Sequence, residues 1–333
     1  MKDWQDMIAE FRALGGVAEN LRLGHGALGR GLFAIDPARP VRIHVPESLL
    51  VDSADVAFEN GALTVGPAAR TAERERRFIE AYHARFGWGE GGRAEIAQVL
   101  DAAQALPADL RRRLLSEFRC GPWFEEASEG LVQRQFLASR QIGYGARTVI
   151  MPVLDLANHG GHASFRLQNG IVLQATTADE VLVGYTDMDS YGLFLSWGFA
   201  AEQKQALSIG LLGNVGPAQL KVDRLFAKLK AADRVGLPDM ARQAGGGVAL
   251  DFLMIGNRNF PRLARGIFYK RMREAGLSGA EEAFDLVHHA NRMHFLGLIG
   301  ALEDVEGAMA DTLRRMARMQ LQAMSYAWGA RAV

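Results

Sequence analysis

The stretch VIMPVLDLANHGGHASF, Val149 to Phe165, places polar side chains inside and directly after a short apolar run. A run of this length is typical of a buried strand or of the start of a helix. Asp155 lies within the run, and Asn158 and His159 follow its end. Because a buried polar side chain costs free energy unless it is hydrogen-bonded, we expect these residues to form a structural corner or to bind a ligand.

The composition limits the classes of protein to consider. The chain has 333 residues, 49% of them hydrophobic, which suffices for two domains or for one large core with a second module. Lys plus Arg and Asp plus Glu number 38 each, so the net charge is zero. The molecule as a whole therefore has no net electrostatic attraction for nucleic acid or for an anionic membrane. No apolar run reaches the ~20 residues of a membrane span, and the N-terminal pattern is an amphipathic helix rather than a signal peptide. We therefore expect a cytoplasmic protein with no nucleic-acid or membrane partner.

The apolar pattern predicts an order of β, α, β and α along the chain. Short strand-like runs broken by Gly or Pro come first, including VRIHVPESLLV from Val41. Apolar residues at spacings of three and four then predict helices from Thr71 to about Arg119. Apolar and polar residues alternate again in GIVLQATTADEVLVGY, which is typical of strands. The region from about Pro217 onward is again predicted to be helical. We expect an α+β fold.

GHGALG, Gly24 to Gly29, matches the dinucleotide fingerprint G-x-G-x-x-G. That fingerprint requires a strand before it and a helix after it, so that pyrophosphate meets the helix N-terminus. The residues that follow, RGLFAID, are strand-like instead. The stretch is therefore a plain hairpin or a glycine turn that lets a ligand approach the backbone, and a nicotinamide oxidoreductase is disfavoured.

Two further candidates lie outside these stretches. Cys120 is the single cysteine, which excludes an internal disulfide and a zinc site built on cysteines; burial as a small hydrophobe is its usual role, and a nucleophile is the alternative. In DLVHHANRMH, Asp285, His288 and His289 stand at i, i+3 and i+4 of a predicted helix. They could gather around a metal, although packing in a core or an interface is the alternative.

Five motifs occur in an order that resembles the SET-domain protein methyltransferases. They are GRGLFAID, VRIHVPESLLV, FLASRQI, VIMPVLDLANHGG and ADEVLVGYTDMDSYGLFLSWGFA. Within that family they are similar to the branch of plant Rubisco large-subunit lysine methyltransferase and animal actin-histidine methyltransferase. The match covers about Ala18 to Ala200, and five motifs in one order argue against agreement by chance.

The resemblance implies that the polar residues are partners of a ligand, S-adenosylmethionine. Asn158 and His159 would lie in a knot-like crossing at the centre of the fold and bind this cofactor. A glycine turn would lie against its methionine end, and the forked guanidinium of Arg140 would pair with its carboxylate. The residues of the turn are Gly29, Arg30 and Gly31.

The resemblance also implies where the methyl acceptor binds. Ser139 and Asp155 would border the pocket for the side chain to be methylated, and Tyr185 would supply the active-site hydroxyl. Trp197 precedes a Gly-Phe turn, where lysine-specific members often have a tyrosine, and is expected to contact the substrate. Lysine is the expected acceptor, and histidine or another amine stays open.

The resemblance implies a SET domain at 1–205, with a helical insert at about 70–130, and an all-helical C-terminal domain at 206–333. The expected function is methylation of a lysine in a non-histone protein or peptide, which the C-terminal helices would bind. A homodimer through these helices is an equal alternative for the Met-rich apolar face of LRRMARMQLQAMSYAW. The rival function is a non-catalytic module that binds a protein partner.

Overall fold

The chain folds into two compact units. A computed structural model describes residues 3–67, 69–177, 179–185, 188–224, 237–243 and 245–328. The first unit comprises Met1–Asp101 and Ala127–Tyr185, and the second comprises Ala102–Glu126 and Thr186–Val333. The units thus divide the chain at residue 185, whereas the predicted domain boundary is at 205, and 102–126 belongs to the second unit.

The first unit contains small sheets with one face on a core. In β4, Val41, Ile43 and Val45 are fully buried while the residues between them are not, which is the period of two expected for a half-buried strand. The strands β1, β4, β12 and β11 form a sheet in that order, and β10 pairs in parallel with β13. The strands are β1 (Val17–Glu19), β2 (Leu21–Gly26), β3 (Gly29–Ala34), β4 (Val41–Pro46), β5 (Val51–Asp52), β6 (Val56–Glu59), β7 (Ala62–Val65), β8 (Gln141–Tyr144), β9 (Arg147–Ile150), β10 (Asn158–Ala163), β11 (Arg166–Leu167), β12 (Gly170–Ala175) and β13 (Leu182–Val183).

The GHGALG stretch is the tip of an antiparallel hairpin. β2 and β3 pair with Gly26 opposite Gly29, so that Ala27 and Leu28 form a two-residue turn. Gly29 has φ +92°, a conformation that favours glycine. The hairpin interpretation is confirmed, since a strand follows where a dinucleotide site would have a helix.

Three α-helices lie within the stretch from Thr71 to about Arg119 that the sequence predicts to be helical, and further helices precede and follow it. Asp3 caps α1 by accepting a hydrogen bond from the backbone N–H of Asp6, and Ser128 caps α5 through Leu131 in the same way. Within the described residues, no helix is both long and apolar enough to cross a membrane. The helices up to residue 140 are α1 (Trp4–Ala13), α2 (Glu73–Arg85), α3 (Arg93–Gln104), α4 (Ala108–Ser116) and α5 (Glu129–Arg140), with a π-helical turn at Trp88–Gly92 between α2 and α3.

The second unit combines helices with strands. The α+β class is confirmed, but the prediction of an all-helical C-terminal domain is wrong. The helices that follow are α6 (Ser190–Trp197), α7 (Leu263–Glu274), α8 (Ala280–Ala301) and α9 (Ala308–Ser325). The strands are β14 (Gln205–Leu207), β15 (Leu211–Val215), β16 (Ala218–Val222), β17 (Met240–Arg242), β18 (Val248–Leu250) and β19 (Met254–Asn257).

The physical reason for this error is visible in the sequence between residues 211 and 222. Gly216 and Pro217 form a turn, with φ +56° at the glycine, and Val215 pairs with Ala218 across it. In β16 the residues alternate between buried and exposed. A Gly-Pro turn between alternating runs indicates a hairpin, and that local signal outweighs the apolar content that suggested a helix.

A buried carboxylate organises the second unit. Asp189 is fully buried and accepts a hydrogen bond from the backbone N–H of Gly192, which caps α6. It also accepts bonds from the backbone N–H of Leu207, the guanidinium of Arg224 and the amide of Gln320. One side chain therefore connects the start of α6 to β14, α9 and the segment after β16.

Candidate active site

A cavity of about 230 Å³ lies in the first unit. It is bordered by the tip of the β2–β3 hairpin, the first turns of α3, the end of α5 and the residues just before β10. Five of the residues predicted for the site meet there, although they are up to 129 positions apart along the chain. The lining residues are Leu28, Gly29, Arg30, Glu95, Gln98, Arg140, Asp155, Leu156 and Asn158.

The hairpin carries Arg30 to the cavity. Its backbone C=O accepts a hydrogen bond from Asn158 Nδ2 at 3.1 Å, and its side chain is 11% exposed. The guanidinium lies against Gly91 in the π-helical turn, where a Cβ atom would collide with it. Glycine at that position therefore provides the space that the Arg30 side chain occupies.

Arg30 and Arg140 place two guanidinium groups beside one carboxylate. Arg140 Nη2 lies 2.9 Å from Glu95 Oε2, and Arg30 Nη2 lies 3.5 Å from Glu95 Oε1. Burial alone would lower the pKa of Arg140, but the charges of Asp155 and Glu95 outweigh it, and the pKa is raised. Among the described residues, no hydrogen-bond partner is present for the buried Nε of either arginine or for Arg30 Nη2. These donors can therefore bind an anion that enters the cavity.

Asp155 is the buried acidic group of the cavity. It is 6% exposed, and Oδ1 accepts a hydrogen bond from the hydroxyl of Tyr82 on α2. Oδ2 has no hydrogen-bond partner among the described residues. Burial raises the pKa of Asp155 to about 6, against the opposing effects of Arg140, the Tyr82 hydrogen bond and Arg30. This carboxyl can therefore bind a cation or hold a proton near neutral pH.

Asn158 is fixed by the protein itself. Its Nδ2 donates to Glu180 Oε1 at 2.7 Å as well as to the backbone of Arg30. A Cβ atom on Gly31 would lie 2.5 Å from Glu180 Oε1 and 2.7 Å from Asn158 Nδ2. Gly31 is not among the residues that line the cavity. Its lack of a side chain allows Glu180 and Asn158 to approach the backbone of β3 closely, which holds Asn158 in the cavity wall.

His159 and Tyr185 pack on each other beside this wall. His159 Nδ1 accepts a hydrogen bond from the backbone N–H of Tyr185 at 3.2 Å, and the two rings are 5.1 Å apart. The Tyr185 hydroxyl donates to the backbone C=O of Ala157 at 2.8 Å, and burial raises its pKa to about 12. Burial lowers the pKa of His159. Neither side chain is among those that line the cavity.

The other two residues predicted to contact substrate are not among those that line the cavity. Ser139 is in the last turn of α5, where its hydroxyl donates to the backbone C=O of Phe136 at 2.8 Å, and it does not line the cavity. Trp197 is the last residue of α6, in the second unit. The structure thus brings together Gly29, Arg30, Arg140, Asp155 and Asn158 at one cavity.

Sequence reasoning missed the residues that α2 and α3 contribute, and it missed Glu180. Glu95 and Gln98 from α3 line the cavity, Tyr82 from α2 bonds to Asp155, and Glu180 bonds to Asn158. Helical periodicity indicates that Tyr82 is buried but does not indicate what it meets. The available signal was the carboxylate of Glu180, which lies in the quoted motif ADEVLVGYTDMDSYGLFLSWGFA two residues before β13.

Among the remaining candidates His288 and Cys120 are buried, whereas Asp285 and His289 are exposed on α8. His288 Nε2 lies 3.2 Å from the backbone C=O of Met324, and burial lowers the pKa of His288 to about 4. In the part of the chain that is described, no group of three or more His, Cys, Asp or Glu side chains could hold a metal ion. Cys120 is buried, and burial raises the pKa of its thiol well above the usual range.

Comparisons with known proteins give matches among solved structures. No protein-family model and no curated protein matches the chain. The structure of Rubisco LSMT bound to AdoMet is 12% identical, with 96% of this chain and 90% of that chain covered and a TM-score of 0.40. The SET domain of LSMT bound to lysine and AdoHcy is 13% identical, with the same coverage and a TM-score of 0.39.

Proposed function

We propose that the protein is an S-adenosylmethionine-dependent protein N-methyltransferase that acts on a lysine of a non-histone protein or peptide. The observation that carries the proposal is the pair of buried guanidinium groups, Arg30 and Arg140, at a glycine-bordered cavity. Asp155 and Asn158 share that cavity, so anion-binding donors and a buried acid lie side by side.

The residues fit the methionine end of the cofactor. A forked guanidinium matches a carboxylate in geometry and charge, and the donors of Arg30 and Arg140 without partners suit that task. Gly29, directly after the Ala27–Leu28 turn, has no side chain to obstruct the approach of a ligand to its backbone. His159 and Asn158 are also proposed to contact the cofactor. Gly31 is proposed to support this site by allowing the close approach of Asn158. When bound, S-adenosylmethionine supplies a methyl group on a sulfonium.

The acceptor side of the site has to deliver an uncharged amine. A free lysine has a pKa of ~10.4 and is charged at neutral pH. Asp155 would attract the ammonium group, and burial in an apolar channel favours its neutral form once the proton has left to water. Tyr185 would orient the nitrogen, while Ser139 and Trp197 would contact the substrate. Such alignment is worth ~7 kcal/mol or more in well-oriented reactions.

The second unit is proposed to bind the substrate protein. A homodimer through its C-terminal helices is the alternative, and a cytoplasmic location is part of the proposal. Balanced charge supports a protein or peptide substrate over nucleic acid. A panel of peptides with lysine or histidine as the sole acceptor would separate these two substrate classes.

Calorimetric titration with S-adenosylmethionine tests the cofactor site, with NAD as the negative control ligand. We expect micromolar binding that becomes about 10- to 100-fold weaker in Arg140→Met, because charged hydrogen bonds are lost. Arg93→Met is the matched control, since Arg93 pairs with Glu129 and does not line the cavity. Equal affinity in the wild type and Arg140→Met would refute the assignment.

Mass spectrometry of methylated protein or peptide tests Tyr185. We expect Tyr185→Phe to lose most turnover while its affinity for the cofactor stays within a few fold. Unchanged turnover would remove Tyr185 from the site.

One observation favours a second function, a non-catalytic module that binds a protein partner. The hydroxyl of Tyr185 donates to Ala157 and is not at the cavity, so the residue expected to orient the acceptor lies outside it. Cofactor binding without methylation of any peptide or of the protein itself would support this alternative. Automethylation detected by mass would exclude it.

A further inference from the structure

We propose that Glu95 is an internal competitor that pairs with the two guanidinium groups of the cavity and is displaced by the carboxylate of the ligand. This inference rests on the proposed function of the site and concerns its regulation. Glu95 lies in the first turn of α3, and its carboxylate bridges Arg140 Nη2 at 2.9 Å and Arg30 Nη2 at 3.5 Å. It thus makes the charge pairing that a ligand carboxylate would make.

The bridge balances charge inside the cavity. The side chains of Arg30 and Arg140 are 11% and 14% exposed, so two positive charges lie close together with little water to screen them. One carboxylate between them relieves this repulsion. A ligand carboxylate would be repelled by Glu95 in addition to Asp155, so the ligand and Glu95 compete for pairing with the same two guanidinium groups.

Glu95 is placed so that it can leave. Its side chain is 44% exposed, in contrast to its two buried partners, so a rotation brings the carboxylate into water. The first turn of a helix also favours a negative charge there through the helix dipole. Glu95 is the exposed member of both pairs, so water competes for its carboxylate and limits the free energy that each pair contributes. Displacement therefore restores a solvated Glu95 and leaves both guanidinium groups to the ligand.

The test compares Glu95→Gln with the wild type by calorimetry using three ligands. S-adenosylmethionine and S-adenosylhomocysteine both carry the carboxylate, and the second lacks the sulfonium charge. We expect S-adenosylhomocysteine to bind about 2- to 5-fold more tightly to the variant, the factor of one weak ion pair. 5′-Methylthioadenosine has no carboxylate, and its affinity should not change.

Glu129→Gln is the matched control. Glu129 makes a bidentate pair with Arg93 at 2.8 and 3.0 Å but does not line the cavity, so all three affinities should stay unchanged. Glu95→Ala, with circular dichroism as a check of folding, repeats the test without the amide of glutamine.

Three results would overturn the inference. Weaker binding of S-adenosylhomocysteine to both Glu95 variants would mean that Glu95 supports the ligand. Equal tightening of 5′-methylthioadenosine would mean that the effect does not depend on the carboxylate. Failure of the folded wild type to bind any of the three ligands would refute the proposed function itself, and the inference with it.

Discussion

Replacement of Asp155 by Asn should change how the stability of the protein depends on pH. Burial raises the pKa of this carboxyl from 3.8 to about 6, although Arg140, Tyr82 and Arg30 oppose the rise. The folded protein therefore binds the Asp155 proton more tightly than the unfolded chain does. Asn has the same shape and can still accept the hydrogen bond from Tyr82, but it does not ionise.

The sign and size of the effect follow from proton linkage. Below the unfolded pKa of 3.8 Asp155 is protonated in both the folded and the unfolded state, and its ionisation does not lower the free energy of unfolding. As pH rises through the folded pKa of about 6, the folded state loses the proton, and stability falls. At about 1.4 kcal/mol for each pKa unit, the full loss in the free energy of unfolding is about 3 kcal/mol. About half of this loss occurs between about pH 5 and about pH 7.5. The Asp155→Asn variant should not show this loss.

Urea denaturation of both proteins across that pH range measures the effect. The free energy of unfolding of Asp155→Asn minus that of the wild type should increase by about 1.5 kcal/mol from about pH 5 to about pH 7.5. Glu129→Gln is the control: the hydrogen bond from Arg93 lowers the pKa of this exposed carboxyl, so it is ionised throughout this pH range and the difference from the wild type should stay constant. A constant difference, or one that shrinks as pH rises, would refute the description of Asp155 as a buried carboxyl with a raised pKa.

Three further substitutions test other parts of the structure. Tyr82→Phe removes the hydrogen bond that lowers the pKa of Asp155, so the pH-dependent loss of stability should move to higher pH in the same urea experiment. Gly31→Ala would force a Cβ atom to 2.7 Å from Asn158 Nδ2, so thermal unfolding should report a loss of about 1–3 kcal/mol and calorimetry a weaker affinity for S-adenosylmethionine; unchanged values would contradict the close approach. Asp189→Ala removes a fully buried carboxylate that pairs with Arg224 and accepts hydrogen bonds from Gly192 and Leu207, so it should cost about 3–5 kcal/mol; a loss below about 1 kcal/mol in urea denaturation would contradict its role in the second unit.

The sequence predicts the parts of the site that local chemistry and motif order determine. The turn at Gly29 follows from glycines between two strand-like runs, and the hairpin forms there. Arg140, Asp155 and Asn158 were identified from the order of the motifs, and they meet at the cavity. Each of these residues lies in or beside a quoted motif.

The contributions of α2 and α3 could not be predicted in the same way. An amphipathic pattern shows which face of a helix is buried, but not which surface it packs against. Tyr82 and Glu95 therefore gave no signal of their contacts with Asp155 and with the two arginines. Tyr185 was assigned from a motif, its hydroxyl donates to the backbone C=O of Ala157 and it is not among the residues that line the cavity, so its role stays a prediction.

The assignment of 102–126 to the second unit limits how the cavity-bearing half can be produced as a fragment. A polypeptide that ends at Tyr185 would include this segment but lack the residues it bonds to in the second unit. Trp123 Nε1 donates to the backbone C=O of Phe194 at 2.9 Å, and the backbone C=O of Phe118 accepts from the hydroxyl of Tyr191 at 2.8 Å. Trp123 and Phe118 are both buried, so truncation would expose large apolar side chains and promote aggregation. Expression of the cavity alone therefore requires excision of 102–126 as well as removal of everything after residue 185.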